Sequence, residues 1–489
     1  MSLIERIPKT FQPSYAPEWG SGGVFGLKYH RGVLYFTLAF EAESFFIERD
    51  YQQRYKYDLV GPQPVSGGDT YGAVEAVDEK IYFGGWVHAP AVYGQRGAGG
   101  STILFNNKYS HVHEYDINER RVRLLWRDTI KHPEKWAGEI SEIIYDPVST
   151  ELLLARADGH ENLGIYTLDP RSGEAKRLSS RPALKGSKYL DYICFDISKF
   201  DGVEGFQCLD LISRKILYYE LEDVKRISVD EDGTPIYSMG PATEAYGRFF
   251  AFVRSGVFVG NPVEPVLDDM RFVRLFDYGV SGLSPRRSNV INVGGGILVA
   301  YNASVETAYH IDDLGLSKRL NYVVSPTVLL YITPPAARIV GVLGARATSL
   351  ESLGDKILIG YSTTANLGGR DATIIDSGVR GITVLSEDII YSPNPPYSAR
   401  VPLREISGRT FGGIPLYGYK EKYLTIYSSK DLVLQINEYD LGLPPQFYGR
   451  DLVHVKSGKD IIDLRGYRHI VSFKIHNGPS DGIAVIDLL

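Results

Sequence analysis

Gly354-Asp-Lys-Ile-Leu-Ile-Gly-Tyr-Ser-Thr-Thr364 joins a turn to a short β-forming run, an aromatic residue and a small polar tail. Two close copies exist, Gly294-Gly-Gly-Ile-Leu-Val-Ala-Tyr-Asn-Ala-Ser304 and Lys420-Glu-Lys-Tyr-Leu-Thr-Ile-Tyr-Ser-Ser-Lys430, and looser ones surround Ile81, Leu153 and Val471. A strand signal returning every roughly 45–70 residues belongs to a radial or stacked all-β architecture.

The clearest single unit lies further upstream. Glu139–Tyr145, Glu151–Ala157, Gly164–Leu168 and Glu174–Leu178 read as four short strands separated by Asp146-Pro147 and Asp169–Gly173 turns. Four antiparallel strands make one propeller blade. The fold expected is therefore all-β, a single β-propeller of seven or eight four-stranded blades spanning residues 1–489. The last stretch, Ile461–Leu489, supplies about three strands, so pairing of N- and C-terminal strands is expected to close the ring and remove an exposed edge. Residues 1–21, with Pro8, Pro13 and Pro17, read as an extended lead-in, and the Gly-rich residues 89–109 read as a long loop insertion. Helical signals are sparse, with one turn conceivable over Ile130–Trp136. Tyr246–Asp277 matches the blade pattern only in part.

Composition narrows the function classes. The 489 residues carry 44% hydrophobic and 23% charged side chains, which suits a packed globular core. A net charge of −6 gives no electrostatic footprint for nucleic acid. The N-terminus lacks a secretory pattern, and the apolar stretch Tyr322–Ala345 is broken by Pro326, Pro334, Pro335 and Arg338, so a cytoplasmic protein without membrane insertion is expected. Two cysteines, Cys194 and Cys208, lie in apolar strand-like segments; the expectation is a buried reduced pair, the alternative a disulfide between adjacent strands. The 3 Met and 2 Cys beside 34 Tyr fit a thermophile source.

An Asp recurs at the end of third strands, as Asp58, Asp116, Asp169 and Asp210, and later as Asp312, Asp376, Asp440 and Asp487. Asp caps turns through its carboxylate, so this series belongs to the scaffold. Positions after second strands differ from unit to unit, and an asymmetric set can build one site. The candidate ligand-binding residues are Glu41, Trp86, His88, Asp158, His160, Asn302, Asn366, Arg370, Asp371 and His476. His88, His160 and His476 form a candidate set for a divalent metal, imidazole being a suitable ligand. His111 and His113, two apart on a strand, share a face and form a weaker candidate pair.

Gly478-Pro-Ser-Asp-Gly482 matches the nucleophile-elbow spelling but precedes a strand-like run, not a helix, and reads as a turn. No phosphate loop, Asp-box or Trp-Asp repeat ending is present. The chain resembles carotenoid oxygenases only in length, propeller pattern and a late histidine. In overall character it resembles an uncharacterised family of propeller-like proteins from thermophilic archaea, domain of unknown function 2139. That resemblance implies a fold and transfers no catalytic residue. The function expected is a binding or scaffold module for a protein or small ligand; the alternative is a metal-dependent hydrolase, lyase or oxygenase with a His/carboxylate site.

Overall fold

The computed structural model describes residues 2–11, 23–38, 41–68, 72–91, 93–95, 102–103, 107–130, 132, 135, 138–157, 161–199, 202–221, 227–232, 238–279, 282–302, 327–363, 379–477 and 481–489. They divide into two compact units. One contains Met1–Tyr219, Arg287–Asn289 and Ala347–Ser386; the other contains Glu220–Arg286, Val290–Arg346 and Glu387–Leu489.

Seven sheets follow one another along the chain, built mainly of hairpin-connected strands; in the second, Ser66–Gly68 and Val74–Val77 both pair with Lys80–His88. The seven run Val24–Tyr55, Ser66–Asp128, Glu139–Ser179, Gly186–Glu220, Met239–Arg274, Val290–Leu343 and Arg346–Ser386. The third is typical. Leu154 lies opposite both Ile143 and Tyr166, so alternate residues of the Glu151–Ala157 strand reach each face. Its turns use the expected chemistry: the Asp146 carboxylate accepts the Val148 N–H at 2.8 Å, and Asp169 accepts that of Arg171 at 2.9 Å. Asp116 and Asp210 cap their turns in the same way. Asp487 departs from the series, lying within a strand where it accepts the Ser398 hydroxyl. Asp312 and Asp376 lie outside the described residues.

Within the first unit the sheets pack face on face through successive apolar layers. Leu358 and Ile382 of the seventh sheet share a cluster with Val24, Leu34 and Phe36 of the first. Phe46 and Tyr35 of the first meet Phe83 and Tyr115 of the second. Val112 of the second meets Leu152 and Leu154 of the third, and Ala155 of the third meets Phe195 and Leu209 of the fourth. Consecutive four-stranded sheets stacked through such layers are a β-propeller-type fold.

The outermost strand of the seventh sheet comes from the N-terminus. Thr10 pairs with Gly381 and Phe11 with Arg380. The expected partner for an N-terminal strand was Ile461–Leu489, but Thr10 and Phe11 pair with the strand Arg380–Ser386 instead. Within Ile461–Leu489, the strands Ile470–Ile475 and Gly482–Leu488 are interior, each hydrogen-bonded on both sides.

The last two sheets do not have blade order. One runs Tyr397–Pro402, Gly482–Leu488, Lys422–Ser428, Gly458–Asp463; the other runs Thr410–Pro415, Ile470–Ile475, Leu432–Tyr439, Phe447–Val455. Numbered along the chain, these eight strands pair first with last, second with seventh, third with sixth and fourth with fifth. That nesting, split over two sheets, is the connectivity of a jelly roll. Both sheets belong to the second unit, with the fifth and sixth sheets, and share one core that includes Phe252, Val273, Phe276, Phe411, Leu434 and Ile486.

Three local expectations change. Leu3–Arg6 is a helical turn, closed by a capping box between Ser2 and Glu5, where the lead-in was read as extended. The 89–109 insertion contains a small ribbon, Tyr93–Gln95 paired with Thr102–Ile103, and its end already belongs to the strand Lys108–Asp116. Cys194 and Cys208 are joined in a disulfide, not reduced. They sit directly opposite each other on adjacent strands of the fourth sheet, with Cα atoms 4.0 Å apart, so both sulfurs project from the same face. Ile130–Trp136 lies mostly outside the described residues.

Candidate functional site

The second sheet carries polar chemistry on both faces near one end of its strands. In the strand Lys80–His88, period-two alternation places Gly84, Trp86 and His88 on one side. Their partners on the strand Lys108–Asp116 are Val112, Ser110 and Lys108, and Asp128 pairs with Ser110 one strand further out. This side turns toward the third sheet. Gly84 permits the approach: a Cβ there would meet the His111 carbonyl oxygen at 2.8 Å and Ile140 at 3.1 Å.

His88 is buried to 2% exposure, and neither ring nitrogen has a hydrogen-bond partner. Trp86 stands edge-on to it with ring centres 5.6 Å apart, and the Lys108 ammonium lies 4.0 Å from the Trp86 ring centre. Burial lowers the His88 pKa well below the ordinary histidine value, and the Lys108 charge adds to the effect. The imidazole is therefore neutral, able to donate from one nitrogen and accept at the other.

From the third sheet comes Arg156, its side chain 99% buried, packed against the same side of the second sheet through Trp126 and Asp128. Its guanidinium lies between the Trp126 and Tyr166 rings, 4.8 and 4.9 Å from their centres. Arg156 Nη1 donates to Asp128 at 3.0 Å, whereas Nε and Nη2 are buried without a partner. Composition and spacing did not single out Arg156. The available signal was parity: in Leu152-Leu-Leu-Ala-Arg156 the arginine falls on the same face as two buried leucines.

The opposite face holds His111 and His113, fully buried against the first sheet. The expectation that they share a face holds. Their Nδ1 atoms are 3.1 Å apart, and His113 Nε2 lies 2.8 Å from the Tyr55 hydroxyl. Burial pushes His111 down to about 3 and lowers His113 well below its ordinary value, the neighbouring imidazole assisting. A second chain of hydroxyls, Tyr35, Ser44, Tyr57 and Thr37, runs beside them.

The other sequence candidates have different settings. Glu41 is buried and accepts from Arg380 at 2.8 Å, tying the first sheet to the seventh. Asn302 is 1% exposed, pairs through its backbone with Ser284 and accepts the Thr327 hydroxyl at 2.7 Å. His476 belongs to the second unit, where it follows an interior strand of the jelly-roll pair and lies 2.9 Å from Gln435 Oε1. Asp158, His160, Asn366, Arg370 and Asp371 lie outside the described residues. The structure thus brings Trp86 and His88 together. Among the described residues, no group of three or more His, Cys, Asp or Glu side chains could hold a metal ion. No helix among them is long and apolar enough to cross a membrane.

The consecutive four-stranded sheets define a β-propeller-type protein. The chain belongs to a family described as an uncharacterized protein conserved in archaea, domain of unknown function 2139, whose model matches residues 34–370. No curated protein matches it. Among solved structures, an exo-β-1,3-galactanase from Phanerochaete chrysosporium is 8% identical, with 86% of this chain and 96% of that one covered and a TM-score of 0.32. The N-terminal domain of Nup159 is 8% identical, covering 78% and 95%, with a TM-score of 0.38. The tricorn protease is 12% identical, covering 77% of this chain and 36% of that one, with a TM-score of 0.39.

Proposed function

We propose that this protein is a binding module whose small-molecule site is the groove between the second and third sheets. The observation that carries the reading is His88, a neutral imidazole with both nitrogens buried and unpartnered. A buried polar group is ordinarily satisfied, and one left open costs about 1–3 kcal/mol, so its natural complement is a ligand or an ordered water. Trp86 and Lys108 flank the imidazole with an aromatic edge and a cation. Apolar walls with a few converging polar groups are the usual make-up of a small-ligand site.

The test is a titration of the whole protein with acetate, succinate, inorganic phosphate, glucose and erythritol, followed by melting temperature and tryptophan fluorescence. At least one probe is expected to raise the melting temperature, and the rise is expected to vanish in His88→Phe. If no probe has an effect, or the effect is unchanged in His88→Phe and in Trp86→Leu, the reading fails.

A further inference from the structure

Resting on that reading, we propose that the groove recognises an oxyanion, a carboxylate or phosphate group, through the free edge of Arg156. Arginine offers two parallel N–H donors along the Nε–Nη2 edge, spaced to match two oxygens of one carboxylate or phosphate. In Arg156 this is the edge without a partner, while Asp128 takes only Nη1.

Three features aim and hold that edge. The Trp126 and Tyr166 rings clamp the guanidinium, so its plane and the direction of the fork are fixed before a ligand arrives. The strand Glu151–Ala157 places the residue in its penultimate position, on the face that Leu152 and Leu154 turn toward the second sheet. Lys108 brings a second cation to the facing sheet, in the row next to that of Ser110 and Asp128. An arginine stays charged under all ordinary conditions, so burial cannot be relieved by losing a proton. With Asp128 already on Nη1, an anion satisfies the two remaining N–H groups through charge-assisted bonds, which are stronger than those a neutral hydroxyl or water makes.

The two sources of the oxyanion are separated by the probes, acetate and succinate on one side and inorganic phosphate on the other. Calorimetric titration of the folded full-length protein, after overnight equilibration, is paired with ¹⁵N spectra of arginine-labelled protein. One class is expected to bind and to shift the Arg156 Nε–H resonance. Arg156→Lys, which keeps the charge and loses the fork, is expected to weaken that binding at least tenfold, and Arg156→Gln to abolish it. A residue that only supports the fold would lower the melting temperature without changing affinity.

If glucose or erythritol binds and neither anion class does, the oxyanion assignment falls while the small-ligand reading stands. If no probe binds, both fall. Anion binding of equal strength in wild type and Arg156→Lys overturns the fork. The wild-type spectrum decides the matter even where a variant does not fold: an Nε–H resonance that no anion moves means the edge is occupied by water alone.

Discussion

His88, His111 and His113 remain neutral in the folded chain because burial penalises the imidazolium, His111 titrating only near about 3. In the unfolded chain they take up protons near pH 6.5. As pH falls from about 6.5 toward 3, the unfolded state gains protons that the folded state refuses, and stability is lost by up to about 1.4 kcal/mol per unit per group. Glu142 works in the opposite sense. Burial raises its carboxyl to about 7, against the pull of the Lys185 ammonium 3.3 Å away. The folded chain then holds a proton from about pH 4.5 to 7 that the unfolded chain releases, so this group withdraws stability as pH rises through that window. Urea unfolding between pH 4 and 8 is expected to give a maximum near neutrality. His111→Gln should make the rise from acid pH shallower, and Glu142→Gln, by removing the opposing group, should make it steeper between pH 4.5 and 7; an unchanged profile in both variants would refute these assignments.

At the level of the element, strands and turns were the most legible part of the chain. The four strands read for the third sheet differ from the observed ones by a residue at most at each end, because each is bounded by Asp, Pro or Gly. The fifth sheet was harder. Its first strand, Met239-Gly-Pro-Ala-Thr-Glu-Ala245, has no apolar alternation, and only its pairing with Arg248–Val253 makes it a strand. The disulfide was legible as an option but not as an outcome, since cross-strand register is a tertiary fact. A thiol assay in denaturant is expected to find neither cysteine free, and Cys194→Ser/Cys208→Ser is expected to cost about 2–4 kcal/mol. For the seventh sheet, Phe11 contributes ring contacts with Phe36 and Phe45 at 5.4 and 5.6 Å. Phe11→Ala should cost about 1–3 kcal/mol by chemical denaturation; no loss would mean that the N-terminal strand does not hold this sheet together.

The whole molecule exposes the limit of reading repeats. Gly354–Thr364 and Gly294–Ser304 both contain second strands of meanders, Lys356–Ser362 and Gly296–Tyr301, so there the repeat reports topology correctly. Lys420–Lys430 has the same pattern, yet its strand Lys422–Ser428 lies inside the jelly-roll pair, between partners that start at Gly458 and Gly482. Local alternation specifies a half-buried strand; it does not specify which distant strand will pair with it. The consequence is a C-terminal segment that shares its core with the fifth and sixth sheets instead of adding blades. Arg274 sits at this junction within the second unit, 2% exposed, donating to Asp230 at 2.7 Å and also to Asp277, which receives Arg409 at 3.1 Å. Tyr439 adds a hydrogen bond to the Arg274 carbonyl at 3.0 Å. Removing one partner of such a set leaves uncompensated buried carboxylates, so Arg274→Met should destabilise by about 3–5 kcal/mol. Ending the chain at Ser386 should be more severe. It strips Phe411, Leu434, Phe473 and Ile486 from the cluster that buries Phe252, Val273 and Phe276. The shortened protein is expected to aggregate or to lose its near-ultraviolet circular dichroism. A soluble, cooperatively melting fragment would mean that the jelly roll is an appendage and that the fifth and sixth sheets carry a sufficient core without it.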